Sequence, residues 1–208
     1  MPLPFLAAAG VWIWVGGAAT AVATAYGAKK AYDYLTKDDK EELTPSVGIY
    51  LEGLSGAGKT TLVELIAQKP FSEEYEATVG IKQERFEKFE FTDLLGIQAS
   101  TSLGGRDDFF EANYETKIYI YVFNCANYIS KVGYKKNVDK LLESAKRICE
   151  RNGKIKFLCL GSHKDLIEDK EKISSLENEI RQKNIKCKVF NLRDTNQRDE
   201  VLNFIDKN

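Results

Sequence analysis

The segment Gly53-Leu54-Ser55-Gly56-Ala57-Gly58-Lys59-Thr60 narrows the possible folds more than any other part of the chain. It satisfies the spacing G-x-x-x-x-G-K-[ST], a loop in which each residue type has a physical task. The glycines let the backbone turn so that successive N–H groups point at one anion. A helix starting near Gly58 would add its positive dipole end to the same place. Lys59 brings a mobile cation to terminal phosphates, and the Thr60 hydroxyl suits a magnesium ion. Such a loop works only between a strand and a helix, and the flanks agree. Val47–Glu52 (VGIYLE) is a short apolar run, and the residues after Gly58 place Leu62, Val63, Leu65, Ile66 and Ala67 on one broad helical face. The candidate phosphate contacts are therefore Gly53, Ser55, Gly56, Ala57, Gly58, Lys59, Thr60 and Thr61.

The rest of the region alternates strands with helices. Ile81–Phe91 sets Phe86, Phe89 and Phe91 among charges and predicts a tight hairpin. Lys117–Ala126 and Lys154–Gly161 are apolar and rich in β-branched or aromatic residues, as central strands require. Helices are expected over 134–151, 169–184 and 196–206, with a last strand at Ile185–Phe190. This alternation predicts an α/β fold, a mostly parallel sheet with helices on both faces.

Charge divides the chain into unlike parts. Pro2 to Ala28 carries no ionisable side chain apart from Tyr26, whereas the remainder is densely charged. Residues 3–28 are long enough to cross a bilayer as a helix, and Lys29 and Lys30 follow at once. Basic residues beside a span favour the cytoplasmic side, so the expectation is a single-pass membrane helix with the nucleotide-binding domain in the cytoplasm. Three alternatives stay open or fall. A cleavable signal would need a basic start, which MPLPFL lacks. An interfacial helix would need a polar face, absent before Lys29. A buried soluble helix remains compatible with the many alanines and glycines. The domain reading is thus an apolar anchor over 1–28, a helical extension and charged linker over 29–45, and a nucleotide-binding domain over 46–208.

Lysine and arginine total 30 against 31 acids, which leaves no basic footprint for nucleic acid. The four cysteines are scattered and there is a single histidine, so a zinc site is not expected.

The loop GLSGAGKTT also resembles the phosphate loop of the ADP-ribosylation-factor (Arf) branch of small GTPases. Further segments resemble that family in order: Thr78-Val79-Gly80 its switch I threonine, and Asp93-Leu94-Leu95-Gly96 its D-x-x-G element. The resemblance implies GTP or GDP with Mg²⁺ as ligands. It places Thr60, Thr78 and Asp93 at the metal, Lys59 and Thr78 at the γ-phosphate, and the Gly96 N–H as its sensor. The family's N-K-x-D base motif is replaced by Ser162-His163-Lys164-Asp165. Asp165 retains the carboxylate that complements guanine's paired donors, and either the His163 plane or its neighbour Lys164 is expected to cover the base face. Asn191-Leu192-Arg193 takes the place of the second base loop. The family's water-positioning glutamine is displaced. Ile97 follows D-x-x-G directly with Gln98 next, or else 97–103 is an insertion and Gly104-Gly105-Arg106-Asp107 resumes a G-G-Q-D run with arginine for glutamine. Either alignment predicts slow hydrolysis or dependence on a partner.

An apolar anchor followed by such a domain is similar in layout to the signal-recognition-particle receptor β subunit. The resemblance implies a membrane-attached switch with a protein effector and activating or exchange factors. A non-hydrolysing GTP-binding scaffold and a P-loop ATPase or kinase are the alternatives.

Overall fold

The computed structural model describes residues 46–72, 82–93 and 103–207. The apolar start, Thr78, Gly96 and Gln98 lie outside these residues. Among the described residues no helix is long and apolar enough to cross a membrane.

A sheet of six strands forms the centre, in the order β2-β3-β1-β4-β5-β6. The strands are β1 (Val47–Glu52), β2 (Lys82–Phe86), β3 (Phe89–Asp93), β4 (Thr116–Asn124), β5 (Ile155–Ser162) and β6 (Lys186–Val189). All neighbours pair in parallel except β2 and β3, whose hairpin is antiparallel with Phe86 opposite Phe89. Glu87, at the tip, takes a left-handed φ of 50°. The chain leaves β1 toward β3 on one side and toward β4 on the other. That reversal opens a crevice at the carboxyl ends of β1 and β4, where α/β sheets bind ligands.

Strand periodicity sorts the core into two layers. Ile118, Ile120 and Val122 of β4 face one side with Ile49 and Leu51 of β1, and meet α1 (Lys59–Ile66) and α6 (Arg198–Lys207). Tyr119, Tyr121 and Phe123 face the other side, covered by α2 (Leu103–Glu111), α3 (Cys125–Ser130), α4 (Val132–Asn152) and α5 (Lys170–Gln182). Helix α1 buries Leu62, Val63, Leu65 and Ile66, each contributing roughly 1.5–3 kcal/mol of burial. The mostly parallel sheet with helices on both faces is the expected class.

Two elements depart from expectation. The strand expected to run to Ala126 stops at Asn124, because the Asn124 side chain accepts the Asn127 N–H at 2.9 Å and caps α3. Helix α2 is absent from the sequence-based expectation. Its sequence LGGRDDFFE opens on two poor helix formers and presents little apolar periodicity. It forms because Phe109 is buried against Tyr50, with ring centroids 5.3 Å apart.

Candidate nucleotide site

The phosphate loop leaves β1 at Gly53, which runs against β4 so closely that a Cβ there would collide with the Val122 carbonyl oxygen. Only glycine tolerates that approach. The loop then turns through Ser55 and Gly56, both exposed, and closes with the Ala57 N–H on the Leu54 carbonyl at 3.1 Å. Gly58 is left-handed at φ 93° and caps α1 without any side-chain bond to the helix's first N–H groups. Those donors and the helix dipole converge on the loop's hollow, an arrangement suited to an anion. Thr60 and Thr61 occupy the first turn and are partly buried.

Lys59 is only 7% exposed and folds back to donate to the Gly53 carbonyl at 3.2 Å. Its ammonium therefore lies across the mouth of the loop. Asp93 ends β3 and pairs in register with Leu51, so its backbone lies beside the last residues of β1. A hydroxyl on α1 and a carboxylate position on β3 are hard oxygen donors, and magnesium needs few of these when phosphates complete its shell. Among the described residues there is no cluster of three His, Cys, Asp or Glu side chains, so a fully protein-made metal cage is not available there.

Three loops meet at this end of the sheet. Ser162, at the end of β5 and 1% exposed, lies 2.6 Å from the Ala57 carbonyl, 3.1 Å from the Phe123 carbonyl and 2.6 Å from His163 Nδ1. A hydroxyl has one proton, and both carbonyls are acceptors. With the Ser162 hydroxyl donating to Ala57, the matching tautomer has His163 Nδ1–H donating to the Ser162 oxygen. In that tautomer Nε2 is the acceptor. Burial lowers the His163 pKa, Asp165 opposes that effect, and Arg193 reinforces it, so the neutral ring is favoured. His163 holds a left-handed φ of 58°, which turns the chain into the short 3₁₀ turn Lys164–Leu166 and leaves Asp165 exposed.

The loop after β6 completes the group. Phe190 N–H donates to the Gly161 carbonyl at 2.8 Å, and Lys164 N–H to the Phe190 carbonyl at 3.3 Å. Leu192 is buried against Gly58, within 3.5 Å of where a Cβ would stand. The segment 190–192 thus touches the phosphate loop through Leu192 and the Asp165 turn through Phe190.

Two residues here carry little mark along the chain. Along the chain Ser162 stands only as a lost asparagine, although it ties the loop bearing Asp165 to the phosphate loop. Glu52 merges into an apolar strand. Its carboxyl is pushed up to about 7 by burial, against the lowering pull of Arg106 and then Lys59. A lone acid ending a buried strand beside a ligand loop is the signal that marks it. A groove of about 780 Å³ opens elsewhere, at the amino ends of β5 and β6 near Lys156 and Lys186, and contains no phosphate-loop residue.

No curated protein matches this sequence. The solved structures include a probable GTP-binding protein, engB, which is 13% identical with a TM-score of 0.52, the alignment covering 77% of this chain and 97% of that one. In all, 857 solved chains match, a breadth that establishes the fold and singles out no activity. The sequence itself is more specific. Residues 48–204 fit the Gtr1/RagA G protein conserved region from just inside β1 into α6, and the chain belongs to the Gtr1/RagA family of G proteins.

Proposed function

We propose that this chain is a membrane-attached guanine-nucleotide switch that binds GTP and GDP with magnesium and hydrolyses GTP slowly or with a partner's help. The observation that carries the reading is the phosphate loop. Lys59 lies on the Gly53 carbonyl at the start of α1, and Ser162 binds the Ala57 carbonyl from the loop bearing Asp165. Family membership supports guanine as the base. Asp165, exposed on its 3₁₀ turn, is the carboxylate offered to guanine's N1–H and N2–H₂ donors, and adenine lacks that pair.

Thr60 and Asp93 would hold magnesium, with Thr78 joining them in the triphosphate state. Bound there, the ion would neutralise charge on the phosphate oxygens. Lys59 orients the terminal phosphates, and the Gly96 N–H would register the γ-phosphate. Gln98 is the one glutamine near the D-x-x-G segment, and its displacement by Ile97 is the reason to expect slow turnover. A second reading, a scaffold that binds GTP without hydrolysing it, is favoured by Arg106, which stands where a glutamine would resume the family's G-G-Q-D run.

The membrane part rests on residues 3–28 and the flanking Lys29 and Lys30. An effector, with activating or exchange factors, would read the switch from the cytoplasm.

The test is nucleotide identification on the full chain purified in detergent, followed by competition between GTP and ATP. Copurified GDP or GTP, displaced by GTP and not by ATP, is the expected result. Lys59→Ala should abolish tight binding, because a charge-assisted contact to phosphate is lost. Unchanged affinity in that variant would overturn the reading. Single-turnover hydrolysis separates the slow switch from the scaffold.

A further inference from the structure

Three residues of β1 point to the face covered by α2, at alternate positions: Gly48, Tyr50 and Glu52. A Cβ on Gly48 would overlap the Tyr114 ring, and Tyr50 packs on Phe109. The chain from α2 to Tyr114 therefore runs antiparallel to β1, and Arg106, one turn before Phe109, lies toward the Glu52 end of the strand, where its charge acts on the Glu52 carboxyl. Glu52 is also the residue next to Gly53, whose carbonyl holds the Lys59 ammonium at 3.2 Å. One carboxylate thus feels the charges of two cations carried by different helices. The remaining groups around it are neutral. Tyr121 is its register partner on β4, Tyr50 lies on its own strand, and Cys149 reaches in from α4; all three are pushed up by burial, with Glu52 adding to the rise. Asp107 is exposed on α2.

Resting on the phosphate-loop reading, we propose that Glu52 is a proton-linked positioning residue. It is the counter-charge shared by Lys59 and Arg106, and it takes up a proton when a nucleotide's phosphates engage Lys59. Phosphate brings several negative charges to the far side of Lys59. That draws the ammonium's field away from Glu52 and adds like-charge repulsion, and both effects favour the neutral carboxyl. Geometry places the group, and its position near 7 puts the titration within the working range.

The sign follows from linkage. Binding raises the carboxyl's pKa above its value of about 7, so protons are taken up between the two values. Nucleotide affinity is level below that window, falls as pH rises through it, and is level again above. A tenfold gain in the carboxyl's proton affinity on binding gives about a tenfold fall in nucleotide affinity across the window.

The test is titration calorimetry of magnesium-GDP binding to the full chain in detergent, near pH 7.5. Two buffers of different ionisation enthalpy report the protons exchanged. The expected result is a fractional proton uptake in the wild-type chain that disappears in Glu52→Gln, with affinity falling from pH 7 to 8.5 only in the wild type. Arg106→Ala removes one of the two cations and should move the window to higher pH, while Arg106→Lys keeps it in place. Equal proton uptake in wild type and Glu52→Gln, or GDP binding without uptake, would overturn this inference alone. Absence of GDP binding at every pH would overturn the nucleotide reading and this inference with it.

Discussion

Ser162 is 1% exposed and spends its one proton on the Ala57 carbonyl, so removing its hydroxyl leaves a buried acceptor without its donor. Such a loss costs about 1–3 kcal/mol, and here it falls on the join between two ligand loops. Ser162→Ala should therefore weaken GTP and GDP binding by roughly fivefold to a hundredfold, by the same free energies, without changing preference over ATP. Equilibrium titration with both nucleotides checks it, and a changed GTP-to-ATP ratio would show that Ser162 reads the base itself. Asp165→Asn should do the opposite, relaxing choice toward xanthine nucleotides because an amide offers a donor to xanthine's O2. Glu52 makes a third residue-scale prediction, this time on stability. Its folded pKa is raised from 4.5 to about 7, so its favourable contribution is complete below the lower value and lost as pH rises through the upper one. Glu52→Gln should shrink the loss of unfolding free energy between pH 5 and pH 8 by up to about 2–3 kcal/mol. Chemical denaturation at the two pH values measures it.

The junction of β1 with the phosphate loop is the element on which the site depends most. Gly53 passes under β4 with no room for a side chain toward the Val122 carbonyl, a backbone atom held in the middle of the sheet. Gly53→Ala must push β1 from β4 or rebuild the loop. Nucleotide binding should be lost even where circular dichroism shows a folded chain, and retention of wild-type affinity would mean the loop has more freedom than its packing indicates. Helix α2 depends on tertiary packing in another way. Phe109 stacks on Tyr50 and lies near Tyr114, with centroids 6.1 Å apart, and these rings hold a helix whose own sequence is a poor helix former. Shaving the ring with Phe109→Ala should cost about 3–5 kcal/mol and take the Arg106 charge away from Glu52.

For the whole molecule, the prediction concerns separability. A chain starting near Thr44 should be soluble and bind nucleotide like the full protein, because β1 to α6 contains both core layers and the three loops of the site. The full chain should stay in the membrane fraction after a carbonate wash if residues 3–28 span a bilayer, since a helix of about 20 apolar residues satisfies its own backbone and leaves water favourably. Recovery of the full chain in the supernatant without detergent would remove the anchor from the proposal and leave the nucleotide site intact.

Much of this architecture is local in origin and so could be read along the chain. The apolar runs at β1, β4 and β5 and the amphipathic stretches at α4, α5 and α6 repeat at the periods their backbones impose, and the phosphate loop carries its own turn chemistry in its glycines. What periodicity could not show was contact between residues far apart in sequence. Cys125 opens α3 instead of extending β4 because Asn124 caps it, and α2 folds because Tyr50, on β1, buries Phe109. Ser162 meets Ala57 across 105 positions, and the charge of Arg106 acts on Glu52 only once α2 lies back along β1. Hydrophobic pattern is a property of neighbours in the chain, whereas hydrogen-bond partners and desolvation are properties of neighbours in space, so the loop was legible in advance and its supporting groups were not.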